Sequence, residues 1–473
     1  MTSKRVFVAG NFFVLHPGHI RFLKFAAELG GRLTIGVRST RPSDRYPTVA
    51  ERIEALRSVG LANEVVEIQS TLEETLRNLR PDVVVKGREY QSVKNAELEI
   101  LKDWGGELVF SSGESTYSGA EFLTNGLPAP EPPNFTRPAD FARRHDCDYD
   151  RLLAITRHFA SLKVVVIGDT IVDEYVTCEA LGMSREDPTL VISPRHTDRF
   201  LGGAGIVAAH SAALGAATRF FSVTGNDPIS GYVYEQLNKV GVETYLINDD
   251  SRPTTLKKRY RCEGKTLLRV SDLRQHEASA AIQDRMLAEL EPAIAEADVL
   301  IFSDFSYGCL PQNFVEICSA WAKQRQCVIA ADSQSSSQLG DISRYHEMDL
   351  VTPTEHELRV ALRDQVSGLS TLGKTLLERS KGHGALVTLG ASGVLVVTRD
   401  HSADEADRVP ALNRSPVDVS GAGDSLLVVA TLALAAGGNI YEAALLGSFA
   451  AAIQTSRLGN TPIQVQELQR VIH

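Results

Sequence analysis

The chain has no C-x-x-C pair. Its six cysteines, Cys147, Cys178, Cys262, Cys309, Cys318 and Cys327, are scattered over 473 residues. That excludes the usual zinc-ligand spacing and a disulfide framework, and predicts reduced thiols in a cytoplasmic protein. An excess of basic charge is also missing. With 49 Lys+Arg against 59 Asp+Glu and a net charge of −10, neither nucleic acid nor a membrane surface has an electrostatic footing as a partner. The longest apolar run, 426–436, is too short to span a bilayer core of about 30 Å. The apolar N-terminal residues are interrupted by Gly10 and Asn11, with no small-residue cleavage site after them. They read as a first buried strand and not as a secretion signal. What remains is an ordinary globular composition, 43% hydrophobic, at a length that calls for two or three domains.

From Arg5 to about Leu123, short β-branched runs at 6–10, 33–37, 64–68, 82–87 and 107–110 alternate with amphipathic stretches at 20–29, 49–59 and 72–79. Such alternation predicts a parallel sheet covered on both faces. Residues 124–150 hold five prolines between Pro128 and Pro138, which deny this stretch a continuous helix or a central strand and make it a linker. A second α/β pattern fills 151–473. Its expected strands are 163–169, 218–223, 298–304, 327–332, 350–353, 385–390 and 393–398. Its expected helices are 151–162, 278–297, 311–326, 358–380, 424–436 and 440–455. The stretch 189–268 looks more antiparallel and predicts a lid or an edge sheet. The expected organisation is therefore two α/β domains, 1–123 and 151–473, joined by 124–150.

Directly after the first strand comes Gly10-Asn11-Phe12-Phe13-Val14-Leu15-His16-Pro17-Gly18-His19. A strand that runs through a glycine turn into a helix aims backbone N–H groups at an anion, and two histidines three residues apart can face the same phosphate. In nucleotidyl transfer the main need is for donors on the charge that develops at the α-phosphate. This segment resembles the H-x-G-H signature of the cytidylyltransferase-like nucleotidyltransferases. Val85-Lys86-Gly87-Arg88-Glu89-Tyr90 and Ser115-Thr116 are similar to segments of the adenylyltransferase domain of bacterial heptose-phosphate enzymes, which predicts a Rossmann-like fold for 1–123. The resemblance implies that His16 and His19 are catalytic, that Lys86 and Arg52 neutralise a triphosphate, and that Ser115 and Thr116 hydrogen-bond it. Gly10, Asn11, Phe12 and Gly18 would complete the nucleotide site. Arg52 has a second reading, as an i,i+4 partner on a solvated helix. Where the family has G-T-F-D, Phe13 stands in place of the acid.

Near the end, Asp418-Val419-Ser420-Gly421-Ala422-Gly423-Asp424 precedes an apolar helix. Glycines there let amides converge on a phosphate, and a carboxylate beside them can take a proton from an attacking hydroxyl. The segment resembles the D-T-x-G-A-G-D signature of the ribokinase (PfkB) sugar kinases, implying a three-layer α/β/α domain with a small β lid. It also implies Asp424 as base and Gly421, Ala422 and Gly423 as the anion hole. Asp169 and Asp173 resemble the family's opening-strand acids, which implies that they bind sugar hydroxyls, and Gly202-Gly203 resembles its sugar-binding di-glycine. Glu357 resembles the glutamate that organises Mg²⁺ through water. Five positions depart from the family: Ile206, His210, Tyr307, Gln334 and Thr354. The basic run Lys257-Lys258-Arg259-Tyr260-Arg261 either holds an anionic sugar phosphate or is a solvated edge strand.

Together these resemblances identify the chain as similar to the bifunctional heptose-7-phosphate kinase and heptose-1-phosphate adenylyltransferase enzymes, with the two domains in reversed order. They imply Mg²⁺, ATP for the kinase, ATP or CTP for the transferase, sugar-phosphate substrates, and a homodimer. Two other readings stand beside this one. The kinase-like half is then a non-catalytic binding or dimerisation module, or both activities serve a non-heptose sugar or cyclitol phosphate.

Overall fold

A computed structural model describes residues 4–13, 15, 17–39, 47–86, 95–110, 138–184, 187, 189–262, 265–334, 340–400, 406–413 and 415–472. The chain divides into two compact units, Met1–Pro132 and Pro133–His473. Among the described residues no helix is long and apolar enough to cross a membrane.

In the first unit the β-branched runs form β1 (Arg5–Gly10), β2 (Arg32–Arg38), β3 (Glu64–Ile68), β4 (Val83–Lys86) and β5 (Glu107–Phe110). They pair in parallel in the order β3-β2-β1-β4-β5. Alternate side chains of β1 enter two apolar layers, Val6 and Val8 on one face and Phe7 on the other, as the strand period of two requires. The strand order reverses direction between β1 and β4. In an open α/β sheet that switch point opens a crevice at the carboxyl ends of both strands, where Gly10 and Lys86 stand.

The second unit is a nine-stranded sheet in the order β10-β9-β6-β13-β14-β15-β16-β17-β18. These strands are β6 (Lys163–Gly168), β9 (Ala217–Thr224), β10 (Glu243–Asn248), β13 (Val299–Asp304), β14 (Val328–Ser333), β15 (Leu350–Val351), β16 (Gly384–Thr388), β17 (Val394–Thr398) and β18 (Asp407–Val409). Val164 and Val166 of β6 face one apolar layer, with Leu426 and Phe449. Val165 and Ile167 face the other, with Phe314 and Leu376. Hence the arrangement is three-layered. A separate four-stranded sheet, β12-β11-β7-β8, forms the lid from β7 (Thr170–Met183), β8 (Leu190–Gly203), β11 (Thr255–Cys262) and β12 (Lys265–Asp272).

Three local expectations need correction. The single helix expected at 358–380 is two, Glu355–Leu362 and Leu369–Ser380. Arg363 closes the first in the left-handed conformation, and Asp364 accepts the amides of Val366 and Ser367. The stretch 189–268 is not all antiparallel. It also holds the helices Ala204–Ala213 and Pro228–Lys239, and the first of these is buried on every side from Ala204 to Ser211, so it shows no amphipathic period. Finally, a helix at Ala139–Arg144 starts directly after the last proline of the Pro-rich stretch, with Phe141 buried.

Candidate active sites

At the carboxyl end of β1 the chain turns through Phe12, whose φ is 48°. The Phe12 ring folds back over Gly10 so closely that a Cβ there would fall 2.8 Å from it; only glycine leaves that space. The ring then meets the His19 imidazole, with centroids 5.2 Å apart, at the start of the helix Pro17–Glu28. Phe12 is thus a buried support for His19. Asn11 is exposed, and its carbonyl accepts a 2.6 Å hydrogen bond from Arg52 Nη1, which also bonds the Arg38 carbonyl at 3.2 Å. Arg52 is only 2% exposed and stacks over Phe13. Neither sequence reading of Arg52 anticipated a buried clamp between the β1 loop and the end of β2. Lys86 is ion-paired with Glu97 at 2.9 Å. His16, Ser115 and Thr116 lie outside the described residues, and for Gly18 only the helical backbone is described.

In the second unit, Gly421 begins the helix Ala422–Ala435 with φ of 75°. A Cβ at Gly421 would fall 2.3 Å from Asn460 Oδ1, so the position needs glycine for both conformation and space. The first-turn amides of a helix have no intrahelical partner, and Asp424 sits among them. Burial pushes the Asp424 carboxyl up to about 7; a Gln334 hydrogen bond and Lys257 pull against this, while Asp173 and Glu357 add to it. Gln334 Nε2 donates to Asp424 Oδ1 and to Asp332 Oδ2, both at 2.9 Å. Thr352 Oγ1 holds the other Asp332 oxygen at 3.2 Å. Burial, then Glu357 and Asp424, drive the Asp332 carboxyl well above the usual range. Glu357 and Thr354 form a capping box, a T-x-x-E signal that was present in the sequence.

The two opening-strand aspartates separate. Asp169 is buried and accepts three loop amides, from Phe305 at 2.8 Å, Tyr307 at 3.2 Å and Cys309 at 3.1 Å. It anchors a loop, contrary to the expectation that it would meet sugar hydroxyls. Asp173 lies against Gly202, where a Cβ would fall 2.5 Å from Oδ2, and pairs with Arg259 at 3.1 Å. The next residue, Gly203, caps the helix Ala204–Ala213. β11 pairs with β7 so that Lys257 stands opposite Asp173 and Arg259 opposite Tyr175. Lys257 rests over the rings of Phe305 and Tyr307, 5.3 Å from each centroid. Arg259 and the Tyr175 hydroxyl both reach Ser420 at 3.2 Å, tying the lid to the loop before Asp424. Nothing in the sequence marks Tyr175 for this role, because the β7–β11 pairing joins residues 84 positions apart. Ile206 and His210 have no exposure and are core residues.

Among the described residues no group of three or more His, Cys, Asp or Glu side chains could by itself hold a metal ion. The Glu357 carboxylate, near enough to raise the pKa of both Asp332 and Asp424, suits a Mg²⁺ ion that would ride on nucleotide phosphates and keep most of its waters.

A model of pfkB family carbohydrate kinases matches residues 161–466, and a cytidylyltransferase-like model matches 7–109. Proteins named Bifunctional protein HldE are among the relatives. That of Bradyrhizobium sp. (strain ORS 278) is 31% identical over 331 residues, 69% of this chain and 66% of the relative. That of Desulfatibacillum aliphaticivorans is 31% identical over 316 residues, 66% of this chain and 63% of the relative. The match thus spans just under two thirds of these relatives' length. Among solved structures, a ribokinase from Thermotoga maritima has a TM-score of 0.51 at 20% identity, covering 65% of this chain and 98% of the other. A microbiome-derived acarbose kinase has a TM-score of 0.53 at 19% identity, covering 66% and 99%. Both share the fold of the second unit. The chain belongs to the pfkB family of carbohydrate kinases and carries a cytidylyltransferase-like domain ahead of its kinase domain.

Proposed function

We propose that the chain is a bifunctional sugar-nucleotide enzyme. Residues 151–473 phosphorylate a sugar phosphate, such as a heptose 7-phosphate, at its anomeric hydroxyl. Residues 1–123 transfer a nucleotidyl group, from ATP in preference to CTP, to a sugar 1-phosphate. The observation that carries the kinase reading is Asp424, a buried carboxylate with its pKa near 7 in the first turn of a helix whose amides can take developing negative charge. As the acceptor oxygen bonds to the γ-phosphorus and the bond to ADP breaks, Asp424 takes the hydroxyl proton. Gly421, Ala422 and Gly423 supply the amides. Asp173 and Gly202 hold the sugar, and Lys257, Arg259 and Arg261, on one face of β11, meet its phosphate. Glu357 is the residue that would hold Mg²⁺ through water, and the ion would supply charge to balance the phosphates.

In the transferase, the sugar 1-phosphate attacks the α-phosphorus and pyrophosphate leaves, with His16 and His19 donating to the phosphate. Lys86, Ser115 and Thr116 bind the leaving group, and Arg52 acts through the Asn11 loop that it clamps. The core positions of Ile206 and His210 and the capping role of Thr354 remove three of the five departures that favoured a non-catalytic module.

Separate assays of the full chain with a panel of sugar phosphates, ATP and CTP test this reading. Asp424→Asn is expected to abolish phosphorylation and leave pyrophosphate release intact; His19→Ala should do the reverse. Loss of both activities from either change in a folded protein would sink the two-site assignment.

A further inference from the structure

Gln334 follows β14 directly, where two buried carboxylates meet. Its amide nitrogen has two hydrogens and both are used, one on Asp332 Oδ2 and one on Asp424 Oδ1. Asp332 is held in turn by Thr352, so an unbroken chain of hydrogen bonds runs from Thr352 through Asp332 and Gln334 to the first turn of the helix Ala422–Ala435. A carboxylate can turn about its last bond, and either oxygen can then face a substrate. Here only Oδ1 of Asp424 is hydrogen-bonded among the described residues, and Oδ2 is left to act. We propose that Gln334 is a positioning residue for phosphoryl transfer: its amide nitrogen, shared between Asp332 and Asp424, fixes Asp424 so that Oδ2 faces the acceptor hydroxyl.

The inference rests on the kinase reading above. It assigns no bond to Gln334 itself; the proton passes from the hydroxyl to Asp424 Oδ2 while the γ-phosphoryl group moves from ATP to the acceptor oxygen and ADP leaves. The choice of a neutral amide has a consequence. A cation at the same reach would orient Asp424 equally well but would pull its pKa down and weaken it as a base. Glutamine orients through a neutral hydrogen bond, whose downward pull still leaves the Asp424 carboxyl at about 7. The charged groups that act on Asp424 come from three other elements: Asp173 on β7, Lys257 on β11, and Glu357 on the helix Glu355–Leu362. Asp332 on β14 is coupled to it through Gln334.

Steady-state phosphorylation by the full chain tests the proposal. Gln334→Leu should lower kcat by about 100-fold, the scale of a lost near-attack geometry, with KM for both substrates within about twofold. Gln334→Glu, which keeps the shape and loses the donor, should lower kcat as much, and thermal melts establish that both variants fold. Gln334→Lys restores a donor and should keep most of the rate while moving the acid limb of the pH profile down by about one unit. Wild-type kcat in Gln334→Leu and Gln334→Glu, with Asp424→Asn inactive, would overturn this proposal alone. A wild-type chain that phosphorylates no acceptor would overturn it together with the kinase reading.

Discussion

His210 has no exposure, and its Nδ1 accepts the Ile463 amide at 3.2 Å, so the ring's proton sits on Nε2, which has no hydrogen-bond partner among the described residues. Burial, aided by Arg457, pulls its pKa from 6.5 to about 3. The folded ring therefore stays neutral in a pH range where the unfolded ring binds a proton. Its contribution to stability is complete above pH 6.5 and is lost as pH falls toward 3, by about 1.4 kcal/mol per unit. Urea melts of wild type and His210→Gln at pH 7, 6 and 5 should show the wild-type advantage shrinking at that slope; parallel curves would refute it. In the sequence His210 was legible only as a departure at a substrate-binding position. Its burial depends on the segment around Ile463, 253 residues away. The same limit hid the roles of Asp169 and Asp173. Both are acids beside an opening strand, and only the amides of 305–309, brought in from across the sheet, decide which of them is spent on the backbone.

The elements themselves were more legible than the contacts among them. The runs of the first unit were read almost residue for residue, because β-branched strands and amphipathic helices carry opposite periods. The buried helix Ala204–Ala213 carries neither and went unread. β11 shows the middle case. Its cationic run left two readings open, and the structure makes it an interior lid strand, between β12 and β7. Alternation then sorts the cations. Lys257 and Arg259 face Asp173 and the site, while Lys258 pairs with Glu174 on the other face at 3.2 Å. The two neighbouring lysines should therefore differ. Lys257→Ala is expected to raise KM for the sugar phosphate by 10-fold or more, the scale of a lost charge-assisted hydrogen bond of about 1.5 kcal/mol. Lys258→Ala should leave it unchanged. Equal effects would mean that β11 acts through bulk charge and not through one face.

For the whole molecule, the position of the kinase domain's leading edge follows from what the Pro-rich stretch is followed by. The linker expected over 124–150 is held to the second unit at several points from 138 onward. Phe141 is 1% exposed in the core, Arg144 bonds both oxygens of Asp407, and His145 stacks on Tyr441 at 3.7 Å while bonding Asp407 at 2.8 Å. Asp148 caps the helix Tyr149–His158. A fragment that starts at 151 loses all of these. Burial of a phenylalanine contributes about 1.5–3 kcal/mol and an N-cap about 1 kcal/mol, so the loss comes to roughly 2.5–4 kcal/mol before the Asp407 contacts are counted. A fragment of 138–473 should retain the melting midpoint of the corresponding transition in the full chain. The fragment 151–473 should melt roughly 5–10 °C lower, with the apolar groove left by Phe141 exposed to dye. Identical midpoints for the two fragments would show that 138–150 lies on the domain without stabilising it. Arg144→Ala in the longer fragment then divides the effect: a small drop assigns most of it to Phe141, and a large one assigns it to the Asp407 clamp.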